Sequence, residues 1–239
     1  MAIDEAGPVL PGTGSSVAFV PMSNPRPVWR SRLLRLDPVW LRVFGELAAF
    51  VVALPFLLLL PRGHGQPVLV IPAYTASDTV TIPLRLALRL LGYRPSGWDL
   101  GVNGGLSDAA IAASVRRLEE LHRRHDVPVD VVGWSLGGVF GRHLARVRSD
   151  MVGQVITLGS PLRSMEAKRG WAPPDVPTTS IYSKSDSVVD WTDSVDDPGP
   201  GRENVEVRGT HYGLAHNPRV IVVVADRLAK DPATPASLD

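Results

Sequence analysis

The chain has 239 residues, 44% of them apolar, which is enough to bury a sizeable core and is read as one principal domain. Lys plus Arg number 25 against 24 acidic residues, a balance that gives no basic field for nucleic acid. Cysteine is absent, so disulfides, a thiol nucleophile and thiolate metal sites are excluded, while the compartment stays open.

Residues 1–29 carry repeated Pro, Gly and Ser and read as a poorly ordered segment; residues 231–239, DPATPASLD, read the same way. Residues 30–60 form a hydrophobic helical segment. Within it VFGELAAFVVALPFLLLL (43–60) holds a single charge, Glu46, between Arg42 and Arg62. It starts too far from Met1 for a conventional cleavable signal peptide. Its 18 residues fall short of the ~20 that a bilayer core needs, and Pro55 interrupts it. The expectation is a helix packed on the domain or lying on a membrane surface, where Arg30, Arg32, Arg35 and Arg42 could meet lipid head groups; a true span is the alternative. Localisation is accordingly membrane-associated or cytoplasmic.

From residue 61 to 230 the pattern is regular. PVLVIPA (67–73) is a continuous apolar run ending in a polar turn, and 81–93 reads as a helix that stops at Gly92. Ile111, Val115, Leu118 and Leu121 fall at helical spacing in 111–125. Strands are expected near 127–134, 152–161, 178–186 and 203–211, and a last helix where Asn217 caps and Pro218 takes the first position. Strands alternating with helices imply parallel pairing, and near-continuous apolar strands imply a sheet covered on both faces, so the class is α/β with a mostly parallel central sheet.

The chemistry gathers at Gly133-Trp134-Ser135-Leu136-Gly137, between a predicted strand and a predicted helix. In this nucleophile-elbow pattern the serine takes a strained turn, while Gly133 and Gly137 remove side chains that would clash as strand and helix close. A P-loop is excluded because no Gly-Lys-Ser/Thr follows, and the glycines do not fit a dinucleotide fingerprint. Six histidines could serve as base. His122, His125 and His143 are read as lying on solvated helix faces and His64 as loop; His216 belongs to the start of the last helix. His211 directly follows the last predicted strand, where a loop can carry an imidazole across the top of the sheet. The orienting carboxylate is expected at Asp186, the first after its strand, with Asp190 in reserve, although Asp190 is better explained as a capping residue near Trp191. Asp193, Asp196 and Asp197 lie beyond. Oxyanion donors are the backbone N–H of Leu136 and, from the loop after the first core strand, that of Tyr74, whose ring would line an acyl pocket. Asp78 is expected to cap the following helix.

VLVIPAY, GYRPSGWDLGVN, VVGWSLGG, VITLGSP, IYSKSDSVVDW and GTHYGLAHNP, in that order, resemble the α/β-hydrolase superfamily, in particular its compact bacterial lipases and esterases. The resemblance covers roughly 61–230. It implies the α/β-hydrolase fold, Ser135, Asp186 and His211 as catalytic triad, and a pocket for an acyl chain. Two departures stand out: Pro72-Ala73-Tyr74 replaces the Pro-Gly-aromatic common in relatives, and 161–177 is short for a lid. Covering of the pocket would then fall to the helix at 43–60. The expected activity is serine carboxylester hydrolysis, with lipid or acyl esters as small-molecule substrates and a membrane surface as a possible partner. That chemistry requires no metal or organic cofactor. An acyltransferase or thioesterase would use the same residues; a non-catalytic lipid-binding scaffold on this fold is the competing class.

Overall fold

The computed structural model describes residues 38–57 and 59–230, all within one compact unit. The expectations for 1–29 and 231–239, and for Arg30, Arg32 and Arg35, lie outside the described residues.

Six strands form one sheet: β1 (Pro67–Ile71), β2 (Arg94–Gly97), β3 (Val129–Trp134), β4 (Val152–Leu158), β5 (Thr178–Tyr182) and β6 (Arg202–Glu206). Their order is β2-β1-β3-β4-β5-β6 and every pair is parallel. The helices are α1 (Pro38–Leu57), α2 (Ile82–Leu90), α3 (Asp108–His125), α4 (Leu136–Val147), α5 (Leu162–Arg169), α6 (Trp191–Ser194) and α7 (Pro218–Ala229).

Strand alternation sorts the core into two layers. Val68, Val70, Val132 and Trp134 face a layer that includes Leu84 and Leu88 of α2, Val220 and Val224 of α7, and Phe50 and Leu57 of α1. Leu69, Ile71, Val129 and Val131 face the other, with Leu118 and Leu121 of α3 and Val139, Phe140 and Leu144 of α4. Both sheet faces are therefore covered, as the near-continuous apolar strands require.

The expected elements are present. β2 is the strand that the apolar pattern does not disclose. Its sequence, Arg-Pro-Ser-Gly, has almost no apolar content, and it lies at the sheet edge, where a proline costs no ladder bond. α3 starts three residues before the predicted position because Ser107 caps it, accepting from the Ala110 N–H. Asn217 caps α7 through the Arg219 N–H, with Pro218 at the first position.

No helix among the described residues is long and apolar enough to cross a membrane. α1 instead packs on α7, burying Phe50 and Leu57; burial of such side chains contributes about 1.5–3 kcal/mol each. Its outer face remains apolar and exposed, with Leu41, Phe44, Val51, Val52 and Phe56 toward solvent.

Candidate active site

The chain winds outward in opposite directions from β1 and β3, which are adjacent in the sheet. A crevice opens above such a switch point at the carboxyl ends of the strands. Two loops meet there: Pro72 to Ser77 after β1, and the turn at Ser135 after β3.

Ser135 has φ 54° and ψ −121°, a left-handed conformation that costs a non-glycine residue on the order of 1–3 kcal/mol. Its N–H donates to the Leu158 carbonyl of β4 at 2.8 Å. The glycines on either side permit the turn. A Cβ on Gly133 would collide with the backbone of Gly137 and Gly138, and one on Gly137 with the carbonyl of Ile71 at the end of β1. Strand, turn and α4 are thus packed backbone against backbone.

Asp186 and His211 are brought together from separate loops. His211 Nδ1 lies 2.7 Å from Asp186 Oδ2, both side chains being almost fully buried. The other carboxylate oxygen, Oδ1, accepts from the N–H groups of Val188 and Val189 at 2.8 and 3.0 Å, which fixes the carboxylate plane. With Nδ1–H donated to Asp186, Nε2 is the ring nitrogen left to accept a proton. On the β3 side, the Trp134 indole N–H donates to the His211 carbonyl at 3.0 Å, and the two rings lie 5.9 Å apart. Asp186, His211 and the residue preceding Ser135 therefore form one connected group. Among the described residues, Ser135 Oγ makes no hydrogen bond. Contacts between nucleophile and base commonly tighten only when substrate binds.

The Leu136 N–H is at the first position of α4, where helix donors lack intrahelical partners and the helix end carries partial positive charge. Neither this N–H nor that of Tyr74 meets a backbone acceptor among the described residues. The Tyr74 ring is more than half exposed. The loop after β1 is pinned by a residue that sequence reasoning did not single out, Asn103. It is fully buried; its Nδ2 donates to the Pro72 carbonyl at 2.9 Å, and its carbonyl accepts from the Thr75 N–H at 2.8 Å. The Asn103-Gly104-Gly105 run was the available signal.

Two side chains differ from expectation. Asp78 does not cap the following helix: its carboxylate reaches across to the Trp98 and Asp99 N–H groups at 3.1 and 2.9 Å, tying the loop after β1 to the end of β2. His143 is not on a solvated face, because its ring stacks 4.5 Å from Trp171, and burial lowers its pKa. Arg142, on the same helix, is completely buried between Glu166 of α5 and Asp196. Residues 161–177 thus supply a structural ion-pair partner. Asp190 is exposed and caps α6 through the Thr192 N–H. His216 is buried beside the start of α7, and burial lowers its pKa.

A cavity of about 610 Å³ lies at the opposite, amino-terminal end of the sheet, lined by His64, Arg94, His125, Asp130 and Lys230 among others. It is remote from the Ser135 turn. Among the described residues no group of three or more His, Asp or Glu side chains is arranged to hold a metal ion.

No family model matches the chain, and no curated protein matches it in sequence. Solved structures do match it in shape. The pyrethroid hydrolase PytH is similar over 71% of this chain and 99% of its own, with TM-score 0.56 and 15% identity. Lipase BlEst2 of Bacillus licheniformis in its mature form matches 70% of this chain and 94% of its own, at TM-score 0.55 and 13% identity. Lipase B of Aspergillus fumigatus matches 72% of this chain but 54% of its own, at TM-score 0.56 and 17% identity.

Proposed function

From the α/β-hydrolase fold that this chain adopts, we propose that it is a serine hydrolase cleaving carboxylic esters through an acyl-enzyme on Ser135. The observation that carries the reading is the Asp186–His211 hydrogen bond, locked through Trp134 to the strained Ser135 turn. Fold alone would not carry it, since one fold hosts many chemistries.

In the proposed reaction His211 Nε2 takes the Ser135 hydroxyl proton as Oγ bonds to the ester carbonyl carbon. The carbonyl oxygen becomes an oxyanion held by the N–H groups of Leu136 and Tyr74. Collapse breaks the bond to the alcohol oxygen, which leaves with the proton from His211. Water then gives a proton to the same nitrogen and attacks the acyl carbon; breaking the acyl–Oγ bond releases the acid and returns the proton to Ser135. Asp186 holds the tautomer and stabilises the imidazolium throughout. Acyltransferase and thioesterase reactions use the same steps with a different acceptor or leaving group.

The substrate class follows from surroundings. The exposed Tyr74 side chain, on the loop after β1, suits an acyl chain. The exposed apolar stripe of α1, with Arg42 and Arg62 exposed at its flanks, suits an anionic lipid surface as partner. Hydrolysis of p-nitrophenyl esters of graded chain length by the wild type and by Ser135→Ala tests the reaction. Turnover is expected in the first and none in the folded second; equal activity removes Ser135 from the chemistry. Sedimentation with anionic vesicles tests the surface, with Val52→Asp/Phe56→Asp expected to abolish binding; undiminished binding refutes it.

A further inference from the structure

We propose that Glu46, the single charge in the apolar stretch of α1, is a positioning residue for His211. The inference rests on the serine-hydrolase reading and extends it to the N-terminal helix. A carboxylate in an otherwise apolar stretch is costly to bring out of water unless its oxygens are hydrogen-bonded. Here both are used, and both by Thr210, the residue immediately before His211. Glu46 Oε1 accepts from the Thr210 N–H at 2.8 Å and Oε2 from the Thr210 hydroxyl at 2.6 Å. The same hydroxyl accepts from the Gly213 N–H at 3.0 Å, so the carboxylate organises the loop on both sides of His211.

The loop is shaped around this group. A Cβ on Gly213 would overlap the Glu46 carboxylate, and one on Gly209 would sit 3.1 Å from its Oε1. Simple docking of α1 on the domain needs only its apolar contacts, Phe50 and Leu57. The carboxylate adds a different constraint: the backbone is clamped at 210 by a side chain 164 residues distant, and at 211 by the Trp134 indole. Between the two clamps the imidazole has a fixed origin from which to reach Asp186.

The test compares Glu46→Ala, Glu46→Gln and Thr210→Val with the wild type, all as the full chain. Readouts are kcat and KM on p-nitrophenyl butyrate, thermal midpoint, and the downfield proton resonance of the His211–Asp186 hydrogen bond. Because displacement of a reacting group by about 1 Å costs on the order of a hundredfold, Glu46→Ala is expected to lower kcat about ten- to a hundredfold with KM nearly unchanged. Glu46→Gln recovers part of the loss, its amide oxygen still accepting from the Thr210 N–H. If Glu46→Ala does not fold, Thr210→Val, which removes the hydroxyl with its contacts to Glu46 Oε2 and the Gly213 N–H but keeps the bond from the Thr210 N–H to Glu46 Oε1, is expected to lower kcat severalfold. Wild-type kcat in a folded Glu46→Ala, or in Thr210→Val where the alanine variant does not fold, overturns the proposal, whatever happens to the thermal midpoint. Should the wild type prove inert toward esters, the hydrolase reading fails by itself, and the resonance decides this proposal: loss or broadening in the same variant supports it, an unchanged signal overturns it.

Discussion

The indole nitrogen of Trp134 donates to the carbonyl of His211 at 3.0 Å, so the residue before the strained serine holds the backbone of the histidine that follows β6. Two loops far apart in sequence are thereby given one geometry. Trp134→Phe keeps most of the ring volume and removes the donor, leaving a buried carbonyl unpaired at a cost of ~1–3 kcal/mol. The expected outcome is a lower thermal midpoint and a kcat reduced about tenfold, with KM little changed. A variant matching the wild type in kcat would show that the indole only fills space.

Asp186 and Asp190 are both early acidic residues after β5, yet their surroundings separate them. Asp186 is buried on His211, whereas Asp190 is exposed and its pKa is lowered by hydrogen bonds from the Thr192 hydroxyl and backbone. Asp186→Asn should reduce kcat roughly a thousandfold or more, because an amide cannot hold the required tautomer or stabilise the imidazolium. Asp190→Asn still caps α6 and should leave ester turnover unchanged. The reverse ranking in steady-state assays would reassign the carboxylate.

Gly137 tests the packing at the turn. Since a methyl group there meets backbone carbonyls of Ile71 and Pro72 rather than a flexible side chain, relief requires β1 and α4 to separate. Overpacking of this kind costs about 1–3 kcal/mol or more. Gly137→Ala should show a reduced urea midpoint and little ester turnover; full stability would contradict the backbone-to-backbone packing of the turn.

Asp130 gives a pH dependence unrelated to the reaction. Burial pushes its pKa up from 3.8 to about 7, partly offset by hydrogen bonds from Gln154. Between those values the native chain holds a proton that the unfolded chain has released. Its contribution to stability therefore falls as pH rises from about 4 to about 7 and is constant above; at ~1.4 kcal/mol per unit the total is on the order of 4–5 kcal/mol at most. Asp130→Asn removes this slope. Urea unfolding should find the variant more stable than the wild type near pH 8 and close to it near pH 4; parallel pH profiles would refute the assignment.

The sequence disclosed the sheet where hydrophobic pattern dominates, as in β1, β3 and β4, and the Ser135 turn because two glycines are demanded by backbone contact. It concealed whatever depends on long-range hydrogen bonds. β2 has no apolar signature because it is an edge. His143 reads as a surface residue because Trp171, which covers it, comes from a distant segment, and Glu166 and Asp196, the partners of buried Arg142, are likewise distant in the chain. Glu46, Asn103 and the outward reach of Asp78 were invisible for the same reason: each binds backbone groups whose proximity only the folded chain creates.

The most direct test is covalent. A fluorophosphonate probe incubated with the folded wild-type chain, followed by peptide mass spectrometry, should place the adduct on Ser135. Labelling should slow greatly in His211→Ala and vanish in Ser135→Ala. An intact, folded chain that never acquires the adduct, or acquires it at another residue, would contradict the account.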